Sequence, residues 1–97
     1  MKITGLKTYI VNVGGHRNWT YVRIDTDEGI HGIGETFCIG PDKATVECLK
    51  YFGEWIKGMD PMDTEKVQQK ILLWSRFPAG TLIYTAMSAI DVALWDI

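Results

Sequence analysis

Residues 14–19 read Gly-Gly-His-Arg-Asn-Trp, which gathers hydrogen-bonding groups on a backbone that can bend. Gly14 and Gly15 accept conformations closed to other residues. His16, Arg17 and Asn18 then set an imidazole, a guanidinium and a carboxamide on consecutive positions, with Trp19 as an aromatic edge. Taken alone, such a stretch reads as a solvated strand connection. His16 has no second His and no carboxylate at ligand spacing, so it is not read as a metal ligand.

Other reactive types are less promising. Asp91 and Asp96 invite a paired-carboxylate reading, but five residues along a helix they stand about 140° apart and cannot share a proton or a metal. A buried, hydrogen-bonded structural role is expected for Asp91, which shares a stripe with Tyr84, Ser88 and Trp95. Gly32 to Glu35 (GIGE) lacks the third glycine of a dinucleotide fingerprint and sits on a hairpin strand, so Gly32 and Gly34 are expected to permit close packing or a bulge. Glu35, without a paired acid, is expected to accept backbone hydrogen bonds rather than to catalyse. Cys38 and Cys48 form neither a CxxC nor a CxxH pair, which supports no zinc site and no disulfide framework.

The bulk numbers agree with a modest polar-ligand protein. Ninety-seven residues, 46% hydrophobic and 23% charged, make one soluble domain with one core. A formal charge of -2 and the absence of basic runs argue against nucleic acid and anionic membranes, which need clustered Lys and Arg. The first residues lack a signal peptide's apolar core and cleavage site, so a cytoplasmic location is expected. Lys7, Lys43 and Lys50 read as solvated surface charges.

Three strands and three helices must position these residues. Lys2 to Val13 is β-rich and ends at Gly14-Gly15; residues 19–24 (WTYVRI) alternate at a period of two; residues 30–36 (IHGIGET) follow a DTDEG turn. The cheapest pairing is an antiparallel meander. After Gly40-Pro41 the period changes. Ala44, Cys48, Leu49, Phe52, Trp55 and Ile56 share a stripe of a first helix that Asp42 can open and Gly58 close. Asp60-Pro61 and Asp63 offer starts for a second helix with Val67, Ile71, Leu72 and Trp74 on its apolar side, and residues 76–80 (RFPAG) break it. A third helix is expected over Thr81 to Ile97.

That third helix is apolar nearly all round. Ile83, Met87, Ile90, Leu94 and Ile97 fill one face, and Ala86, Ala89, Val92 and Ala93 the adjoining surface. Asp91 and Asp96 would each cost roughly 2.5–3.5 kcal/mol in a bilayer, which rules against a membrane span. A small sheet and two helices cover one side of such a helix, so more protein is expected against the other. Its missing stop signals favour continuation into a following domain over a second subunit.

Four stretches carry a resemblance over the whole chain: the opening MKITGLKTYIV, VRIDTDEGIHGIGE at 22–35, IKGMDP at 56–61 and AMSAIDVALWDI at 86–97. They resemble the enolase superfamily, in its mandelate racemase and muconate lactonizing branch. The implied fold is α+β, a three-stranded antiparallel β-meander followed by three helices (enolase N-terminal-domain-like). Residues 1–97 are then an N-terminal capping domain over the mouth of its own C-terminal (β/α) barrel, which this sequence does not include.

The resemblance further implies removal of a proton α to a carboxylate, with Mg²⁺ stabilising the enediolate and a Lys or His base taking the proton. Those ligands and bases sit on barrel strand ends, so no catalytic or metal-binding residue is expected in this chain, and the fragment alone is expected to be inactive. A cap excludes water and discriminates between substrates. Its specificity loop would be Gly15, His16, Arg17, Asn18 and Trp19, and its second loop Thr36, Phe37 and Cys38. Donors on the first loop suit a small carboxylated polyol, pointing to an acid-sugar dehydratase giving a 2-keto-3-deoxy acid and, as in relatives, to a homo-oligomer. Racemisation, epimerisation or cycloisomerisation within the superfamily stays open, as does a non-catalytic α+β module that dimerises through helix three.

Overall fold

A computed structural model describes residues 1–15, 17–37, 40–76 and 80–97. Strands β1 (Ile3–Asn12), β2 (Asn18–Thr26) and β3 (His31–Glu35) form one antiparallel sheet in the order β1-β2-β3. Thr20, Val22, Ile24 and Thr26 alternate inward along β2, and Leu6 and Thr8 of β1 lie in register with Ile24 and Val22. A register shift between Ile3 and Gly5 accompanies the burial of Ile3 in the core.

Helices α1 (Asp42–Ile56), α2 (Thr64–Ser75) and α3 (Thr81–Asp96) cover that inward face. Leu49, Phe52 and Ile56 of α1 meet Val67 and Ile71 of α2 and Met87, Ile90 and Leu94 of α3 in one core. Each such side chain contributes about 1.5–3 kcal/mol by leaving water. The α1–α2 connection is tied to the start of β1: the Ile3 N–H donates to the Met59 carbonyl (2.9 Å) and the Gly58 N–H to the Ile3 carbonyl (2.8 Å). Gly58 makes this tie at φ +89, a conformation that suits glycine.

Contact between α3 and the sheet depends on small residues on both sides. Ala86, Ala89 and Ala93 are fully buried, and β3 presents Gly32 and Gly34 to them. A Cβ at Gly32 would collide with the Ala93 carbonyl oxygen, and one at Gly34 with that of Ala89. The close packing expected of these glycines is therefore present, and the alanine surface of α3 is its sheet contact. The helix also serves the free edge of β3. The Ile33 N–H donates to Asp96 Oδ2 (2.9 Å) and the Phe37 N–H to Thr85 Oγ1 (2.7 Å), which occupies donors that would otherwise invite another strand.

Several helical details differ from expectation. Thr45 and Gly53 take core positions on α1 while Ala44 is exposed, because the stripe is turned towards Leu6, whose side chain fills the space above Gly53. Pro41 rather than Asp42 is the N-cap of α1. On α2 only Val67 and Ile71 are buried; Leu72 and Trp74 lie outside the core, since a 12-residue helix against one neighbour layer shelters a narrow stripe. Arg76 ends α2 in the left-handed conformation. Asp91 is part-exposed and its side chain makes no hydrogen bond among the described residues, so the buried, bonded role expected for it is not found; its neighbours Tyr84, Ser88 and Trp95 face outward. Among the described residues no helix is long and apolar enough to cross a membrane.

Candidate functional site

The two segments expected to face a ligand meet at one end of the sheet. The first is the β1–β2 turn, held by a Val13 N–H to Arg17 carbonyl bond (3.1 Å) and an Arg17 N–H to Gly14 carbonyl bond (3.3 Å). Gly14 and Gly15 sit at φ +114 and +59, where a Cβ would be strained whatever the space around it. The second is the connection from β3 to α1. It starts where the Thr36 N–H donates to the Thr20 carbonyl (2.9 Å) and reaches α1 through Gly40 and Pro41.

Each expected site residue has a place, apart from His16 and Cys38, which lie outside the described residues. Gly15 and Arg17 are exposed on the turn, and Arg17 makes no ion pair or side-chain hydrogen bond among the described residues. By contrast, Arg23 donates from Nε to Asp25 Oδ1 (2.7 Å) and Lys7 lies 3.7 Å from the other carboxylate oxygen, so those cations are already paired. Trp19 is 47% exposed on the outer face of β2, opposite Val11. Thr36 turns inward and is buried, whereas Phe37 is 74% exposed, its backbone pinned by Thr85. Glu35 is exposed and accepts no hydrogen bond among the described residues, so the backbone-orienting role expected for it is not found.

Asn18 is engaged within the chain. Its Oδ1 accepts from Asn12 Nδ2 (2.9 Å) and its Nδ2 donates to Asp42 Oδ2 (3.1 Å). Asn12 in turn accepts from the Gly14 N–H (3.0 Å). Beside these groups opens a cleft of about 420 Å³ lined by Ile10, Asn18, Gly40, Pro41, Asp42, Lys43 and Ala44. Asn12 and Asp42, which the sequence reading did not place among the candidate site residues, take part in this network, and Lys43 beside them is exposed as expected. An Asn two residues before a Gly-Gly turn carried the available signal, since its side chain commonly bonds the backbone two residues on.

Among the described residues this end of the domain presents an exposed cation, Arg17, beside the Asn12–Asn18–Asp42 network. Among the described residues no three His, Cys, Asp or Glu side chains converge to hold a metal ion. Burial, and to a lesser degree the nearby Glu47, pushes the Cys48 thiol pKa up, away from the reactive thiolate.

The chain is 36% identical to a D-galactonate dehydratase of Variovorax paradoxus, over 100% of this chain and 24% of that protein. It is 34% identical to a D-mannonate dehydratase of Novosphingobium aromaticivorans, again over 100% of this chain and 24% of the relative. Among solved structures, an enolase from Agrobacterium radiobacter with bound sodium and L-malate superposes with a TM-score of 0.91 at 36% identity, covering 99% of this chain and 24% of that one. The chain thus spans about a quarter of the length of the relatives it matches. Residues 7–97 match the model of the mandelate racemase / muconate lactonizing enzyme N-terminal domain, and the chain belongs to that family.

Proposed function

We propose that residues 1–97 are the capping domain of an acid-sugar dehydratase. In this reading the rest of the enzyme is a barrel that packs on the outward face of α3 and holds Mg²⁺ and the catalytic base. The observation that carries it is the Arg17 guanidinium, without an ion pair among the described residues on a turn that is itself braced by Asn12 and Asn18. A carboxylate is the natural partner of such a group. The names of the relatives support the substrate class, because D-galactonate and D-mannonate are both carboxylated polyols. L-malate, found in the Agrobacterium enolase, is likewise a small hydroxy acid.

In the proposed reaction the base removes the proton on the carbon next to the carboxylate. The hydroxyl on the neighbouring carbon then leaves as water, its extra proton supplied by a general acid of the proposed barrel, and the enol so formed tautomerises to a 2-keto-3-deoxy acid. This chain's part is to bind and enclose. Arg17 holds a substrate carboxylate or hydroxyls, while Trp19 and Phe37 put apolar surface over the substrate and keep water from it. His16 and Cys38 belong to the same two loops by position in the sequence.

The test is a hexonate library, including D-galactonate and D-mannonate, supplied to the full-length enzyme. A 2-keto-3-deoxy product is expected, and Arg17→Ala should raise KM at least about tenfold, the loss of roughly 1.4 kcal/mol of binding, with kcat little changed. Solvent deuterium entering the α position without a keto product would instead establish epimerisation. Neither product nor exchange with any hexonate would overturn the substrate class.

A further inference from the structure

The side chains of Asn12, Asn18 and Asp42 form a hydrogen-bonded relay whose polarity is fixed at one end. A carboxylate only accepts, so Asp42 Oδ2 obliges Asn18 to turn its NH₂ towards it (3.1 Å). Asn18 Oδ1 must then face the other way, where it accepts from Asn12 Nδ2 (2.9 Å). That leaves Asn12 Oδ1 to accept from the Gly14 N–H (3.0 Å), inside the turn itself. Three side chains from three elements thus run from the first residue of α1, across the end of β2, to the backbone of the β1–β2 turn. Nothing else described between Arg17 and α1 links the two by side chains.

We propose that Asn18 and Asp42 are positioning residues: they clasp the β1–β2 turn to the first turn of α1 and so decide where the adjacent Arg17 stands against an acid sugar. The proposal rests on the capping reading above. It reassigns Asn18 from a substrate contact to a strut, and gives Asp42 a purpose other than capping its helix, for which no side-chain cap bond exists. The clasp lies in the wall of the 420 Å³ cleft, so loosening it alters both the turn and the space beside it.

The polarity supplies the experiment, with the full-length enzyme and D-galactonate as probe. Asp42→Ala removes the terminal acceptor and is expected to raise KM about tenfold with kcat within about twofold. Asp42→Asn keeps an acceptor oxygen and should stay within about twofold of the parent. Asn18→Asp sets two carboxylates face to face and should resemble Asp42→Ala. Combining Asn18→Asp with Asp42→Asn rebuilds the relay, since the new carboxylate accepts from both neighbouring amides, and should recover the parent KM. Amide hydrogen exchange over residues 12–18 gives a second readout: faster in Asp42→Ala, restored in the double variant. An unchanged KM in Asp42→Ala, a double variant no better than Asn18→Asp, or exchange indifferent to Asp42 would each overturn the proposal. A parent enzyme silent towards D-galactonate would count against the capping reading alone, and the exchange rates would then decide the clasp.

Discussion

Gly34 of β3 lies directly against the carbonyl oxygen of Ala89 in α3, with the Ala93 nitrogen 3.1 Å from where a Cβ would stand. Neither backbone can retreat, because the helix also holds the strand edge through Thr85 and Asp96. Gly34→Ala is therefore expected to cost about 3 kcal/mol, the upper end for overpacking. Gly5→Ala, where a Cβ meets open space, should change stability by no more than about 0.5 kcal/mol. Urea denaturation of the two variants side by side checks the contrast.

This contact also shows how far the sequence could be read. The period-two pattern of β2 and the apolar stripe of α3 place the elements correctly, since burial follows directly from side-chain spacing. That Gly32 and Gly34 mark a close approach was legible from glycines inside a strand; which helix approaches them was not, since that depends on how three helices share one sheet face. The loops divide in the same way. Arg17 and Asn18 are visible as polar residues after a Gly-Gly turn, yet Asn18 bonds to Asp42, 24 positions away, and no local spacing rule reports that pairing.

Thr85 offers a second stability test. Its hydroxyl accepts from the Phe37 N–H at 2.7 Å in a largely buried setting. Thr85→Val keeps the shape and strands the amide, for an expected loss of about 1–3 kcal/mol. Thr85→Ser retains the oxygen and should lose less. Because Phe37 lies in the connection from β3 to α1 and Thr85 holds its amide, exchange there should quicken in Thr85→Val and stay slow in Thr85→Ser.

The Cys48 thiol predicts a pH dependence. Burial is the main reason its pKa is raised, with Glu47 adding to it, so the folded protein favours the neutral thiol. The group's contribution to stability is complete below the ordinary thiol value of about 8.5 and is lost as pH rises through the raised folded value. Alkylation by iodoacetamide, followed at the Cys48 peptide by mass spectrometry, should therefore still be accelerating at a pH where a free cysteine has levelled off. A midpoint at or below that of the free thiol would contradict the burial.

Trp95 carries the proposal that a larger structure covers α3. It is 74% exposed and Tyr84 55% exposed, on a helix whose opposite side is sealed by the sheet. Beside it, Pro61, Met62, Thr64, Leu94 and Ile97 line a small cleft of about 190 Å³. Isolated exposed apolar residues are ordinary, but Tyr84, Val92 and Trp95 lie on one helix and the chain spans 24% of its relatives' length. If a barrel packs here, Trp95→Ala in the full-length enzyme removes a buried indole and should cost about 3–5 kcal/mol. If the face is solvated, the same change should stay within about 0.5 kcal/mol. The two expectations differ by several-fold, so a denaturation curve separates them. Val92→Ala, on the same exposed side, should move in the same direction by a smaller amount, because fewer methyl groups leave the seam.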